Sequence, residues 1–125
     1  MTRLSAIKQI SVNALDLARA TAFYRDTLGV RHLFDAPPQM SFFDCAGIRL
    51  LVGVAEKREF DHPSSILYFD VADIHEAHRD LEARGVKFRD KPHLAAKLPD
   101  REIWLNFFDD SEGNVLALTS EIAVE

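Results

Sequence analysis

Residues 6–13 (AIKQISVN) alternate, with Ile10 and Val12 pointing one way and Gln9, Ser11 and Asn13 the other. That period of two predicts a strand with one apolar and one polar face. Asp16 follows as a helix N-cap. Leu17, Ala20, Phe23, Tyr24 and Leu28 then recur at helical spacing, and Gly29 supplies the stop. Segments 31–35, 40–45 and 48–54 predict three more strands, broken at Pro37-Pro38 and at Ala46-Gly47.

The second half repeats the pattern. Ile66 to Val71 predicts a strand, and Asp73 caps a helix in which Glu76 stands at the capping-box position. Ile74, Ala77 and Leu81 form its buried stripe, and Gly85 ends it. Val86 to Phe88, Ile103 to Phe108 and Val115 to Thr119 supply strands, separated by an irregular stretch from Arg89 to Arg101 and followed by a short tail. Four markers recur in order: an aspartate-started helix, its Gly-Val close (Gly29-Val30, Gly85-Val86), a Phe-Phe-Asp (Phe42-Phe43-Asp44, Phe107-Phe108-Asp109), and a glycine before an apolar segment. The chain therefore reads as two βαβββ modules, residues 1–56 and 57–125, together one globular domain of eight strands and two helices. The polar stretch Ala55 to Ser64 is the expected linker. A duplicated half-barrel has its natural pocket where the copies face each other.

Composition narrows the function class. The 47% hydrophobic content suffices for a core, while the net charge of -5 and scattered basic residues give no face for nucleic acid. No segment approaches a membrane span, and Met1 to Ile7 has no apolar signal core behind it. The single Cys45 has no internal disulfide partner and suits a reducing cytoplasm. A cytoplasmic protein acting on a small molecule or on another protein is expected.

The FYRDTLGV segment (residues 23–30), the FFDDSEGNVLAL segment (107–118) and the βαβββ duplication resemble the vicinal oxygen chelate superfamily. This superfamily covers glyoxalases such as lactoylglutathione lyase, extradiol dioxygenases, methylmalonyl-CoA epimerase, fosfomycin-modifying enzymes and bleomycin resistance proteins. The resemblance spans residues 5 to 121 and implies an α+β fold whose two modules curl into a cup-shaped mixed sheet enclosing the ligand. It also implies metal ligands at Gln9, at Leu50 or Leu51, at Ile66 and at Ala117. Of these only Gln9 carries a donor, and a divalent ion needs three or more to offset its dehydration. The chain thus resembles a metal-free branch, needing no cofactor and binding a small organic molecule in the cup. Family members of this size commonly pair, so a homodimer is expected.

Gln9, Ser11 and Asn13 would wall the cavity. Tyr68 shares parity with Ile66, and Trp104 shares parity with Glu102 and Asn106, which places aromatic and amide groups where a planar ligand could stack. Phe42 and Phe43 flank opposite faces, so one is core and the other lines the pocket. His93, in the irregular stretch, is placed to donate from a loop over the cup. The ligand-binding set is then Gln9, Asn13, Phe42, Tyr68, His93, Trp104 and Asn106, with no catalytic residue assigned. His75, Glu76 and His78 lack the HExxH spacing and read as solvated helix surface. Cys45 reads as a small buried hydrophobe. Two rivals remain: a lyase- or epimerase-type enzyme with a relocated metal drawn from Asp44, Glu102 and His93, and a protein-interaction module.

Overall fold

The alternation near the N-terminus becomes strand β1 (Gln9–Asn13), in which Val12 is 1% exposed while Gln9 and Ser11 face outward. The Asp16 carboxylate accepts the Arg19 amide at 3.1 Å and starts helix α1 (Leu17–Ala22). Where helical periodicity predicts one helix to Leu28, the last turn widens into a π-helical segment, Phe23–Thr27, closed by Leu28 N–H donating to the Phe23 carbonyl at 2.9 Å. Strands β2 (Arg31–Ala36), β3 (Met40–Cys45) and β4 (Ile48–Gly53) follow. Ala46 and Gly47 both have positive φ (51° and 97°), the two left-handed positions of a tight hairpin turn. The strand order is β1-β4-β3-β2, with β1 parallel to β4 and the other pairs antiparallel.

This description covers residues 1–124 of a computed structural model, and the chain divides into two compact units, Met1–Ser64 and Ser65–Glu125. The division falls after the linker, because Asn13 of β1 fastens the segment around Phe60 and His62 to the first unit. One face of the first sheet packs on α1. Tyr24, Phe43, Leu50 and Val52 are at most 1% exposed there, and the Tyr24 and Phe43 rings lie 5.9 Å apart. Each such side chain contributes about 1.5–3 kcal/mol of hydrophobic stabilisation. The register places Gln9, Ser11, Asn13, Arg49, Leu51, Gly53, Met40, Phe42 and Phe34 together on the opposite face.

The second unit starts with β5 (Leu67–Asp70) and helix α2 (Ile74–Ala83), where Asp73 Oδ1 accepts the amides of His75 and Glu76, both at 3.1 Å. Strands β6 (Lys87–Phe88), β7 (His93–Lys97), β8 (Arg101–Asp109) and β9 (Val115–Ala123) complete it. The stretch expected to be irregular thus contains a strand, and nine strands form among the described residues. Its cause is local. Asp90 Oδ1 accepts the Phe107 amide at 2.9 Å, replacing a ladder bond, so the edge strand breaks after Phe88 and resumes at His93. Residues 120–123, expected in the tail, extend β9, with Ala123 paired to Arg101; Glu125 lies outside the described residues. The buried Asp110 carboxylate folds the β8–β9 turn by accepting the amides of Glu112 and Asn114 at 2.8 Å, while Gly113 takes φ 89°.

Candidate functional site

On the face opposite α1, the first unit carries a pocket of about 420 Å³. Met40, Leu51, Gly53 and Val54 form its floor, with Ser11 on β1 and Phe60 and His62 on the segment that follows β4. That segment is held by one side chain. Asn13 Nδ2 donates to the carbonyls of Phe60 (2.7 Å) and His62 (2.9 Å), and the Asn13 amide donates to Ser64 Oγ at 3.3 Å. Both amide hydrogens of Asn13 are therefore engaged in building the wall, and Asn13 shapes the pocket rather than offering its donors to a ligand.

Gln9 lies one strand period beyond the pocket floor, where Gln9 pairs with Arg49 and Ser11 with Leu51. Gln9 Oε1 accepts from Arg49 Nε at 2.7 Å. The Arg49 guanidinium also stands 5.5 Å from the centroid of the Phe42 ring, which in turn stacks on Phe34 at 4.6 Å and 25°. Two residues singled out from the sequence, Gln9 and Phe42, are thus brought together by a third that was not. The sequence held a signal for it: Arg49 is the one charged residue in the apolar run Ile48 to Val52 and shares parity with Leu51. Phe43, of the opposite parity, is the core partner.

In the second unit, Tyr68, Ala117 and Phe107 align across β5, β9 and β8, and the Tyr68 ring meets Phe107 edge-on at 6.1 Å. His93 opens β7 rather than lying in a loop, and its ring stacks on Phe107 at 6.3 Å. Its Nδ1 lies 3.0 Å from the Lys91 carbonyl, which can only accept, so Nδ1 is the nitrogen that donates there. Tyr68 and His93 therefore share a surface built around Phe107, which stands out in the sequence only as part of the repeated Phe-Phe-Asp marker. Tyr68 remains 51% exposed there.

Trp104 and Asn106 lie on the other face of β8, under α2. The Trp104 ring meets His75 at 5.3 Å and its Nε1 donates to Glu102 Oε1 at 3.2 Å. Asn106 is fully buried. Its Nδ2 donates to both the carbonyl and Oδ1 of Asp90, at 3.1 and 2.8 Å, and these acceptors fix the amide orientation. Asn106 Oδ1 then accepts from His78 Nδ1 at 2.6 Å. His78 departs from the expected solvated helix surface: only 15% of its side chain is exposed, because the Asn106 bond and the Phe88 ring at 4.1 Å draw it inward. An open groove of about 610 Å³ runs beside it, lined by His75, Glu82, Arg89 and Lys91 among others.

The electrostatics at the strand ends are modest. Cys45 is half-buried rather than fully buried, and burial pushes its thiol above the ordinary value, with Asp44 adding to the shift. Asp35 is held below the usual carboxylate range by bonds from His32 and Ser41. The metal positions implied by the resemblance do not fit an ion. Directly across from Gln9 on this face stands the Arg49 cation, Leu50 is buried on the α1 side, and Leu51, Ile66 and Ala117 carry no lone pair. Among the described residues, no three His, Cys, Asp or Glu side chains converge on one point, and no helix is long and apolar enough to cross a membrane.

Comparison with known proteins places this geometry. The family model described as "Glyoxalase/Bleomycin resistance protein/Dioxygenase superfamily" matches residues 6–118. A lactoylglutathione lyase structure from Agrobacterium tumefaciens superposes with a TM-score of 0.73 at 23% identity, covering 94% of this chain and 95% of that one. A glyoxalase/bleomycin resistance protein/dioxygenase superfamily member from Sphaerobacter thermophilus does so with a TM-score of 0.73 at 24% identity, covering 94% and 98%. One from Alicyclobacillus acidocaldarius gives 0.68 at 20% identity, covering 96% and 94%. No curated protein matches the chain in sequence. At these identities the structural likeness concerns the fold.

Proposed function

We propose, for a chain that belongs to the glyoxalase/bleomycin resistance protein/dioxygenase superfamily, that it binds a small organic molecule without a metal ion. The observation that carries this reading is the 420 Å³ pocket on the face of the first sheet opposite α1, walled by the segment that Asn13 holds in place. Its size suits a ligand of one or two rings. Met40, Leu51, Val54 and Phe60 supply apolar contact, and Ser11 and His62 supply hydrogen-bonding groups. Burying about 100 Å² of ligand hydrocarbon there contributes about 2.5 kcal/mol, so micromolar binding needs polar anchors as well. The surface of Tyr68, Phe107 and His93 in the second unit is proposed as a stacking platform for planar ligands.

A lyase- or epimerase-type reaction through a metal-bound enediolate would require donors at the positions the resemblance implies, of which Leu50 or Leu51, Ile66 and Ala117 carry none. Hydrocarbon side chains stand at those positions, and no step is assigned through an ion. The same proposal makes the protein a cytoplasmic homodimer with a small-molecule partner rather than nucleic acid or a membrane. Its support is the family's pairing habit, the acidic charge and the lone Cys45.

Ligand titration monitored by amide chemical shifts tests the reading. Aromatic and antibiotic compounds should move the resonances of Ser11, Leu51 and Gly53, and Leu51→Trp should abolish those shifts while the remaining spectrum is kept. A panel that leaves these three resonances unmoved would sink the proposal.

A further inference from the structure

We infer that Arg49 makes the site selective for organic anions, and specifically for ligands that carry a carboxylate beside an apolar body. The inference rests on the binding reading above and deepens it. Arg49 lies on the same strand face as Leu51, two residues from the pocket floor, in a half-buried position. A guanidinium there needs acceptors, because burial of an unpaired charge is costly. The protein supplies one: Gln9 Oε1 takes Nε at 2.7 Å. Among the described residues, nothing accepts from its two terminal nitrogens within hydrogen-bond or ion-pair reach. The carboxylate nearest in register, Asp44, directs Oδ1 to the Gly47 amide at 3.0 Å instead.

The remaining contacts orient rather than neutralise. The Phe42 ring lies 5.5 Å from the guanidinium and Gln9 takes its Nε, so the two terminal nitrogens are left to an outside acceptor. Two parallel N–H groups in one plane match the two oxygens of a carboxylate. Phe34, 47% exposed and stacked on the buried Phe42, and Leu51 of the pocket floor are apolar and would receive the body of the same ligand. The geometry differs from a chance surface arginine in that a neutral amide and an aromatic face, neither of which cancels the charge, both hold it. The position directly across from Gln9, the one donor among the implied metal ligands, is thus cationic.

The test uses arylacetates and alkanoates, each paired with its primary amide, titrated into the full chain at low ionic strength with amide shifts and the Arg49 Nε–H resonance as readouts. Carboxylates should bind about tenfold or more tighter than their amides, shift the Arg49 Nε–H signal, and lose the advantage as salt is raised. Arg49→Gln should bring each pair to within about threefold, with the affinity of the amides little changed. Equal affinity of acid and amide for the unmodified chain overturns the inference while leaving the binding reading intact. A preference that survives Arg49→Gln also overturns it, since another group then supplies the charge. If neither acid nor amide binds and Leu51 does not respond, both readings fail together. Should Arg49→Gln not fold, the Nε–H shift of the unmodified chain decides: movement with acids and not with amides supports the inference, and its absence refutes it.

Discussion

Asn106 illustrates what a single buried amide settles. Asp90 offers only acceptors to it, so the amide nitrogen must face Asp90, the oxygen must face His78, and His78 must carry its proton on Nδ1. Removing the amide leaves those partners unsatisfied under α2. Asn106→Ala is therefore expected to cost about 3 kcal/mol, read as a shift in urea midpoint at unchanged slope. Cys45 gives a second prediction at this scale. Because its folded thiol is held protonated by burial, alkylation of the native protein should show a pH midpoint above that of a free thiol. The linked stability is fully present below the ordinary thiol value and declines as pH rises toward the folded one. A midpoint at or below the free-thiol value would contradict the burial argument.

At the scale of elements, the caps were legible and the ends were not. Asp16 and Asp73 begin helices because a short carboxylate accepts the first free amides, a local effect readable from spacing. Asp73→Ala should destabilise the second unit by about 1 kcal/mol, visible as faster amide exchange in the first turn of α2. The π-helical widening at Phe23–Thr27 was not legible, since apolar spacing there fits an ordinary turn; Tyr24, fully buried, packs against Phe23 and Phe43. The break between β6 and β7 also escaped, because it depends on Asp90 reaching Phe107, seventeen residues away. Prolines and charges in Arg89 to Arg101 mimic a loop when that contact is not known.

For the whole molecule, the repeat read from four markers corresponds to two sheets in which the first and last strands of each unit run parallel, β1 with β4 and β5 with β9. The donor-poor metal positions lead to a prediction here. Exhaustive chelation should leave the melting temperature and any ligand affinity unchanged, whereas loss of either would show a resident ion to be required. The proposed homodimer should scatter light as twice 14.1 kDa, about 28 kDa, at micromolar concentration. A mass of one chain would remove that part of the proposal.

Sequence by itself determined what depends on neighbours along the chain: strand and helix periods, the aspartate caps, the glycine turns, and the absence of lone pairs at Ile66, Ala117 and the two leucines of β4. Alternation also divided each strand into two faces, but parity cannot say which face a helix covers. Tertiary structure made that choice, turning Trp104 and Asn106 toward α2 and Tyr68 and His93 the other way. It also set Gln9 against Arg49, forty residues apart. The physical reason is that a hydrogen bond across a sheet is fixed by register, and register is a property of packed strands rather than of any one of them.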